Sequence, residues 1–292
     1  METGALIMQH LPRLIALLCT IVILTAATLS PSVPEQVLRI DDRSVINFRQ
    51  MVKEVGNSRL IFIAENHDDA RHHAAQLELI RQLRQDGHQL AIGLEMFTSG
   101  SQKELDRWVA GKLSVARFRE IYRNEWNMSW ELYRDIFIYA RDNRIPLIGL
   151  NLPKEISSKV ARQGFAALSP EERRKLPPGI TCSVSAAYMA LLRQAYHDHG
   201  LSEKAFAHFC EAQVLWNRHM AMRMQEFQSR APGKTLVALV GIGHALKSGA
   251  PGETTDDARL YRIIIPEFGG LNRHNLTVQD ADYLLLFDEE AN

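Results

Sequence analysis

The chain has no excess of charge of either sign: Lys plus Arg and Asp plus Glu number 34 each over 292 residues, a formal net charge of +0. No basic field is present to hold a phosphate backbone, which argues against a nucleic-acid partner. Cysteine is scarce, with Cys19, Cys182 and Cys210 the full set of 3. None stands at Cys-x-x-Cys spacing, which excludes a zinc ribbon, a thioredoxin-type pair and covalent c-type haem attachment. No apolar run reaches the ~20 residues of a permanent membrane-spanning helix. Neither a Walker loop nor Gly-x-Gly-x-x-Gly follows the first strand-like run. A Gly-x-Ser-x-Gly nucleophile elbow is also missing, which argues against an α/β-hydrolase.

What is present is an ordinary globular composition, 46% hydrophobic and 23% charged, enough to bury a large core. The first 27 residues differ from the rest: Arg13 precedes an apolar run over residues 14–24, followed by Thr25, Ala26 and Ala27. A charged start, a short apolar stretch and small residues form a signal-peptide pattern, so export and a mature start near Thr28 are expected. Cys19 lies inside the apolar run behind Leu17 and Leu18, a poor lipobox, so lipoprotein anchoring is not expected and the destination is the periplasm or envelope. In such an oxidising compartment Cys182 and Cys210 could persist as a disulfide, and two separate buried thiols fit the sequence equally well.

Periodicity then predicts an α/β fold, a mostly parallel sheet flanked by helices with an inserted all-helical subdomain. A short helix is expected from Ser44, with Val45, Phe48, Met51 or Val52, and Val55 on one face. Residues 60–64, 90–94, 147–150 and 235–240 are unbroken apolar runs, the form of strands buried on both faces of a parallel sheet. Helices are expected over residues 70–86, from a capping box at Ser101 and Glu104 to about 110, over 130–143, and between Pro153 and Gly164. Residues 260–265 and 283–287 are expected as further strands near the sheet edge. From Ser169 strand-like runs stop and helical spacing takes over, which gives domain limits of 35–168 with 232–292 for the α/β part and 169–231 for the helical insertion.

Chemistry is expected where polar residues interrupt the strand runs. The first ends in Glu65, Asn66 and His67, the second in Glu95, the third in Asn151, the fourth in Gly241, Ile242, Gly243 and His244. Parallel strands gather their carboxyl ends on one rim, the usual ligand site of open α/β sheets. Taken singly, Glu95 or Asn151 would cap a helix, Gly241 and Gly243 would serve a plain turn, and His72 with His73 would be a solvated helix start. Taken together, two Glu, two His and an Asn on one rim form a candidate site. Glu65, His67, Glu95 and His244 suit acid–base hydrolysis, and His67, His244 and Glu65 suit a divalent metal ion. The turn at Gly243 leaves backbone amides open to an anionic ligand.

The segments IFIAENHDDARHH (61–73), GLEMF (93–97), WELYRDIFIYARDNRIPLIGLN (130–151) and LVGIGHALKSGAPG (239–252) resemble the ordered landmarks of the ChaN family, within the haem-uptake and Tiki superfamily. The resemblance runs from about residue 58 to 266. It departs from the family at Ala64, where a Gly usually precedes the Glu. It implies haem binding, iron uptake, a parallel-sheet domain with a small helical domain, and haem shared across a homodimer. An outer-membrane receptor or transport component would be a further partner. Tyr188 and Tyr196, with Asn151 and Gly243, are then the cofactor-binding candidates, and His197, His199, His208 and His219 are alternative iron ligands by type. Met189, Leu191, Leu192, Phe206, Phe209, Trp216, Met220 and Met224 would give either an apolar haem wall or the insertion's own core. The same superfamily includes the Tiki metalloproteases and resembles the erythromycin esterases. A metal-dependent hydrolase is therefore the alternative function, and a non-catalytic envelope adaptor the third.

Overall fold

The computed structural model describes residues 33–197, 202–255, 257–267 and 270–287. The expected signal peptide and His199 lie outside the described residues, as does the side chain of His197. Two short strands, β1 (Gln36–Arg39) and β2 (Val45–Asn47), come first. They are followed by α1 (Phe48–Val55), β3 (Leu60–Glu65), α2 (Ala70–Gln85) and β4 (Leu90–Thr98). Next come α3 (Gln102–Val109), α4 (Val115–Glu125), α5 (Trp130–Asp142), β5 (Leu147–Asn151) and α6 (Lys154–Gln163). The helical stretch is α7 (Pro170–Arg173), α8 (Ala186–His197) and α9 (Glu203–Arg230). The chain closes with β6 (Thr235–Gly241), α10 (Ile242–Ala245), α11 (Ala250–Thr254), β7 (Tyr261–Pro266) and β8 (Tyr283–Leu286).

All strands join one sheet in the order β2-β1-β8-β7-β3-β6-β4-β5. From β8 to β5 every pairing is parallel, and only β1, beside β2 and β8, is antiparallel. The unbroken apolar runs are explained by this: β3, β6 and β7 lie in the middle of the sheet with a helical layer on each face. Ile61, Ile63 and Leu239 point into a core with α1 to α5, while Phe62, Ala238 and Val240 face a second core with α10 and the last turns of α9. Each such fully buried Ile, Leu, Val or Phe side chain contributes about 1.5–3 kcal/mol of transfer free energy.

Several expectations are corrected. No helix starts at Ser44: Val45 is in β2 with 56% of its surface exposed, and α1 starts at Phe48 with Asn47 as its cap, accepting from the Gln50 amide at 2.8 Å. Ser101 caps nothing with its side chain, because its hydroxyl donates to Glu125 Oε1 at 2.5 Å instead. The runs at 260–265 and 283–287 are strands, but they fill the middle of the sheet and the β1–β2 pair takes the edge. The capping box at Ser169 and Glu172 forms as expected.

Among the described residues of the stretch 169–231 only helices occur. Tyr188, Leu192, Tyr196, Phe206, Cys210 and Leu215 form a third apolar cluster with Leu152 and Val160 of the β5–α6 segment. Met220 and Met224, further along α9, belong to the sheet core. One helix thus ties the third cluster to the sheet. Cys182 and Cys210 are joined in a disulfide with Cα atoms 5.4 Å apart, which resolves the alternatives the sequence left open. No helix of the described residues is long and apolar enough to cross a membrane.

Candidate functional site at the carboxyl rim of the sheet

Strand register gathers the site. Glu65 is the register partner of Gly241 across β3 and β6, and Leu94 pairs with Leu239 across β4 and β6, so Glu95 follows on the neighbouring strand. Asn151 pairs with Thr98 after an irregularity in β4. The rim expected from sequence therefore exists, and Glu65, His67, Glu95, Asn151 and His244 all reach it.

Glu65 is 1% exposed and is surrounded by donors. One oxygen accepts from His67 Nδ1 at 2.7 Å and from the Tyr133 hydroxyl. The other accepts from Gln76 Nε2 at 2.7 Å and lies 3.4 Å from His73 Nδ1. Burial alone would raise its pKa, but the bonds from His67 and His73 outweigh burial and hold the carboxyl well below its usual range. His67 has the reverse balance: burial lowers its pKa, and the Glu65 bond with the charges of Glu95, Glu65 and Asp68 raises it further than burial lowers it. The Trp126 ring stands edge-on to His67 at 5.1 Å.

The second half of the site is built on β4, α9 and α10. One Glu95 oxygen accepts the Gly241 amide at 2.6 Å, and the other lies 3.8 Å from His244 Nε2. Asn151 Nδ2 donates to the Glu95 carbonyl at 2.8 Å, holding the β4 backbone. His244 Nδ1 contacts Asn217 Oδ1 at 2.7 Å, and Asn217 Nδ2 donates to the Tyr188 hydroxyl at 2.7 Å. Burial lowers the His244 pKa and the His67 charge adds to this, with Glu95 opposing. The two histidines of one rim are thus driven in opposite directions. Burial also pushes the Tyr188 hydroxyl up to about 12.

The two halves meet at Gly241. A β-carbon there would lie 2.9 Å from His67 Nε2 and 3.7 Å from Glu95 Oε2. Gly241 has φ −61° and ψ 150°, a conformation open to any residue, so it is a glycine for space and not for backbone freedom. At Gly243 a β-carbon would meet nothing.

Neither Glu95 nor Asn151 caps a helix: the residue before α6 is Pro153, and Glu95 is inside β4. The solvated reading of His72 and His73 is overturned, since each is 3% exposed and the His73 ring packs on Tyr133 at 4.2 Å. Of the residues expected to suit a divalent metal ion, Glu65 is bonded to the His67 imidazole itself, and His244 stands on the far side of Glu95. Among the described residues no group of three or more His, Cys, Asp or Glu side chains is arranged to hold a metal ion. Tyr188 touches the site through Asn217. Tyr196 does not, being packed against Phe206 and Phe209 in the helical cluster.

Gln76, Tyr133, Trp126 and Asn217 are site residues that the sequence reading misses, and Trp216, expected in an apolar haem wall or the insertion's own core, stands with its ring 4.8 Å from that of His244. For His73 and Gln76 a signal was present: with Ile80 and Leu83 they form one helical stripe at three- and four-residue spacing, and a polar residue on a buried stripe calls for a partner. Asn217 gives a weaker signal of the same kind, lying between Val214, Met220 and Ala221 on α9.

Comparison with known proteins agrees with the fold. The structure of ChaN of Campylobacter jejuni with cofacial haem binding superposes with a TM-score of 0.68 at 18% identity, over 85% of this chain and 95% of that one. The type III effector HopBA1 gives 0.51 at 12% identity, over 88% and 97%. An erythromycin esterase, EreC, in its open conformation gives 0.49 at 12% identity, over 74% and 72%. For ChaN and HopBA1, at these identities, the likeness is one of fold. No curated protein matches the sequence. The family model for haem-binding uptake, Tiki superfamily, ChaN matches residues 51–253, which include every rim residue named above and the helical stretch, and the chain belongs to that family.

Proposed function

We propose that this chain is an exported haem-binding protein of the bacterial envelope that acts in haem and iron uptake. The observation that carries the reading is the family match over residues 51–253, which includes the helical stretch as well as the rim. Two features of the molecule support it. The disulfide between Cys182 and Cys210 suits an oxidising compartment, in keeping with the signal-peptide pattern. Met189, Leu191, Phe209 and Trp216 are only partly buried beside the third cluster, and a flat apolar ligand needs a wall of this kind.

Tyr188 and Tyr196 fit less simply. They are 2% and 8% exposed, so either hydroxyl would reach an iron only after α8 moves off α9. A second copy of the chain is the proposed partner in holding the ligand, with an outer-membrane receptor or transport component acting before or after it. Titrating hemin into the mature chain tests the reading. A saturable Soret change at fixed stoichiometry supports it, and its absence in the oxidised, folded chain overturns it.

A second reading, acid–base hydrolysis at the rim, is favoured by one observation: His67 and His244 flank Glu95 with pKa values driven apart, the pattern expected of an acid and a base. No step in this reading runs through a metal ion. It predicts that His244→Ala abolishes any hydrolytic turnover found while the fold survives.

A further inference from the structure

Asn217 is 2% exposed in the middle of α9, an unfavourable place for a short polar side chain, which lowers helix propensity and must be satisfied when buried. Both ends of its amide are used, and they face different elements: Tyr188 on α8 and His244 on α10. An apolar residue of the same size would pack there with less cost, so the amide needs a reason.

We propose that Asn217, anchored by Tyr188, is a positioning residue that holds His244 as a neutral imidazole with a bare Nε2 facing Glu95, so that the helical stretch completes the rim site. This rests on the acid–base reading of that site. Asn217 donates an amide hydrogen to the Tyr188 hydroxyl and presents a carbonyl oxygen, which only accepts, to His244 Nδ1. Nδ1 must then carry the imidazole hydrogen, and Nε2 is left with a lone pair. The distance from Nε2 to Glu95 Oε1 supports this: 3.8 Å is too long for a hydrogen bond. A protonated Nε2 beside a carboxylate would have closed that gap.

Two acceptors facing each other across 3.8 Å require a donor between them. One water, or one protic group of a ligand, spans the distance with two bonds of ~2.8 Å. The class of occupant is therefore a group with two hydrogens to give, a water or a primary amine. If water is the occupant, its proton passes to Nε2 as the oxygen's electron pair forms the bond to the electrophilic carbon of a hydrolysable substrate, whose leaving group takes the proton back as its bond breaks, and Nδ1 stays on Asn217 throughout. Trp216, with its ring 4.8 Å from His244, closes one side of the imidazole and keeps it from turning.

The test is nitrogen NMR of the histidine rings in the mature, oxidised chain labelled with ¹⁵N, with His244 assigned by its loss in His244→Gln. The wild type should show His244 as a single Nδ1-protonated tautomer with an unprotonated Nε2. Asn217→Leu should collapse the separation between the two nitrogens, and Asn217→Asp, which retains an acceptor oxygen, should restore it. Tyr188→Phe gives the same readout by releasing the amide, and it serves if Asn217→Leu does not fold. A wild-type Nε2-protonated tautomer overturns the proposal, as does an unchanged tautomer in folded Asn217→Leu or Tyr188→Phe. The acid–base reading fails differently: the expected tautomer together with turnover untouched in His244→Gln would end that reading and leave the relay standing.

Discussion

His67 and Gly241 are fitted to each other: the imidazole Nε2 occupies space within 2.9 Å of where a β-carbon at 241 would stand. Gly241→Ala should therefore push the ring outward and break its bond to Glu65. The cost expected for overpacking is about 1–3 kcal/mol. Gly243→Ala is the control, since its β-carbon meets nothing in α10, and the change should be neutral or stabilise by up to about 1 kcal/mol. Urea unfolding of both variants checks this, and equal behaviour of the two would show that the fit at 241 has no energetic weight.

Glu65→Gln tests the buried carboxylate. An amide in this place keeps one acceptor oxygen and presents two hydrogens to a shell of donors, His67, Tyr133 and Gln76 among them. Removing one partner of a buried charged cluster costs about 3–5 kcal/mol. The Glu65 pKa is lowered in the folded chain, so its stabilisation is present above the ordinary carboxylate range and is lost only as pH falls through the depressed value. At neutral pH the variant should unfold at clearly lower urea, and the His67 and His73 resonances should titrate at lower pH than in the wild type.

The residues legible in sequence are those whose role follows from position along a strand. Glu65, Glu95 and His244 follow apolar runs, and a parallel sheet puts the ends of such runs together whatever the strand order. Strand order itself is a tertiary outcome, so β7 and β8 could be recognised as strands but not placed at the centre. The edge pair β1 and β2 is too short to show a period. The donors around Glu65 come from α2 and α5, with Tyr133 68 residues away, and no local spacing connects them. Asn217 and His244 are likewise joined only by the way α9 crosses the sheet.

His219 gives a pH prediction. It is 4% exposed on α9, and burial, with Arg223 adding and the Asn151 backbone opposing, lowers its pKa to about 4 from 6.5. Between those values the unfolded chain binds more protons than the folded one, so stability falls as pH drops through this window. The full loss amounts to about 3 kcal/mol. His219→Leu lacks this group, so the wild type should lose ~2–3 kcal/mol more than the variant on going from neutral pH to about 4.5. Parallel losses in the two proteins would show that His219 is free to protonate in place.

The disulfide should matter locally more than globally. It closes a segment of 28 residues, from the approach to α8 back to α9, and the chain-entropy relation gives ~3–4 kcal/mol for a loop of that size. The cluster it secures, with Tyr188, Leu192, Tyr196 and Phe206, draws on α6, α8 and the first part of α9, whereas Met220 and Met224 later in α9 are held by the sheet core. Reduction is therefore expected to loosen α8 first, while β3 to β8 stay protected. Hydrogen exchange of the oxidised and reduced chains reads this directly: protection should fall across residues 186–197 and the start of α9, and stay high over residues 60–65 and 235–241. Cys182→Ser with Cys210→Ser should reproduce the reduced pattern. Because Tyr188 anchors Asn217 and Asn217 holds His244, the His244 ring should also lose its single tautomer on reduction. A reduced chain with fully titrated thiols, unchanged exchange over α8 and an unchanged His244 signal would mean that packing alone holds the helical stretch in place.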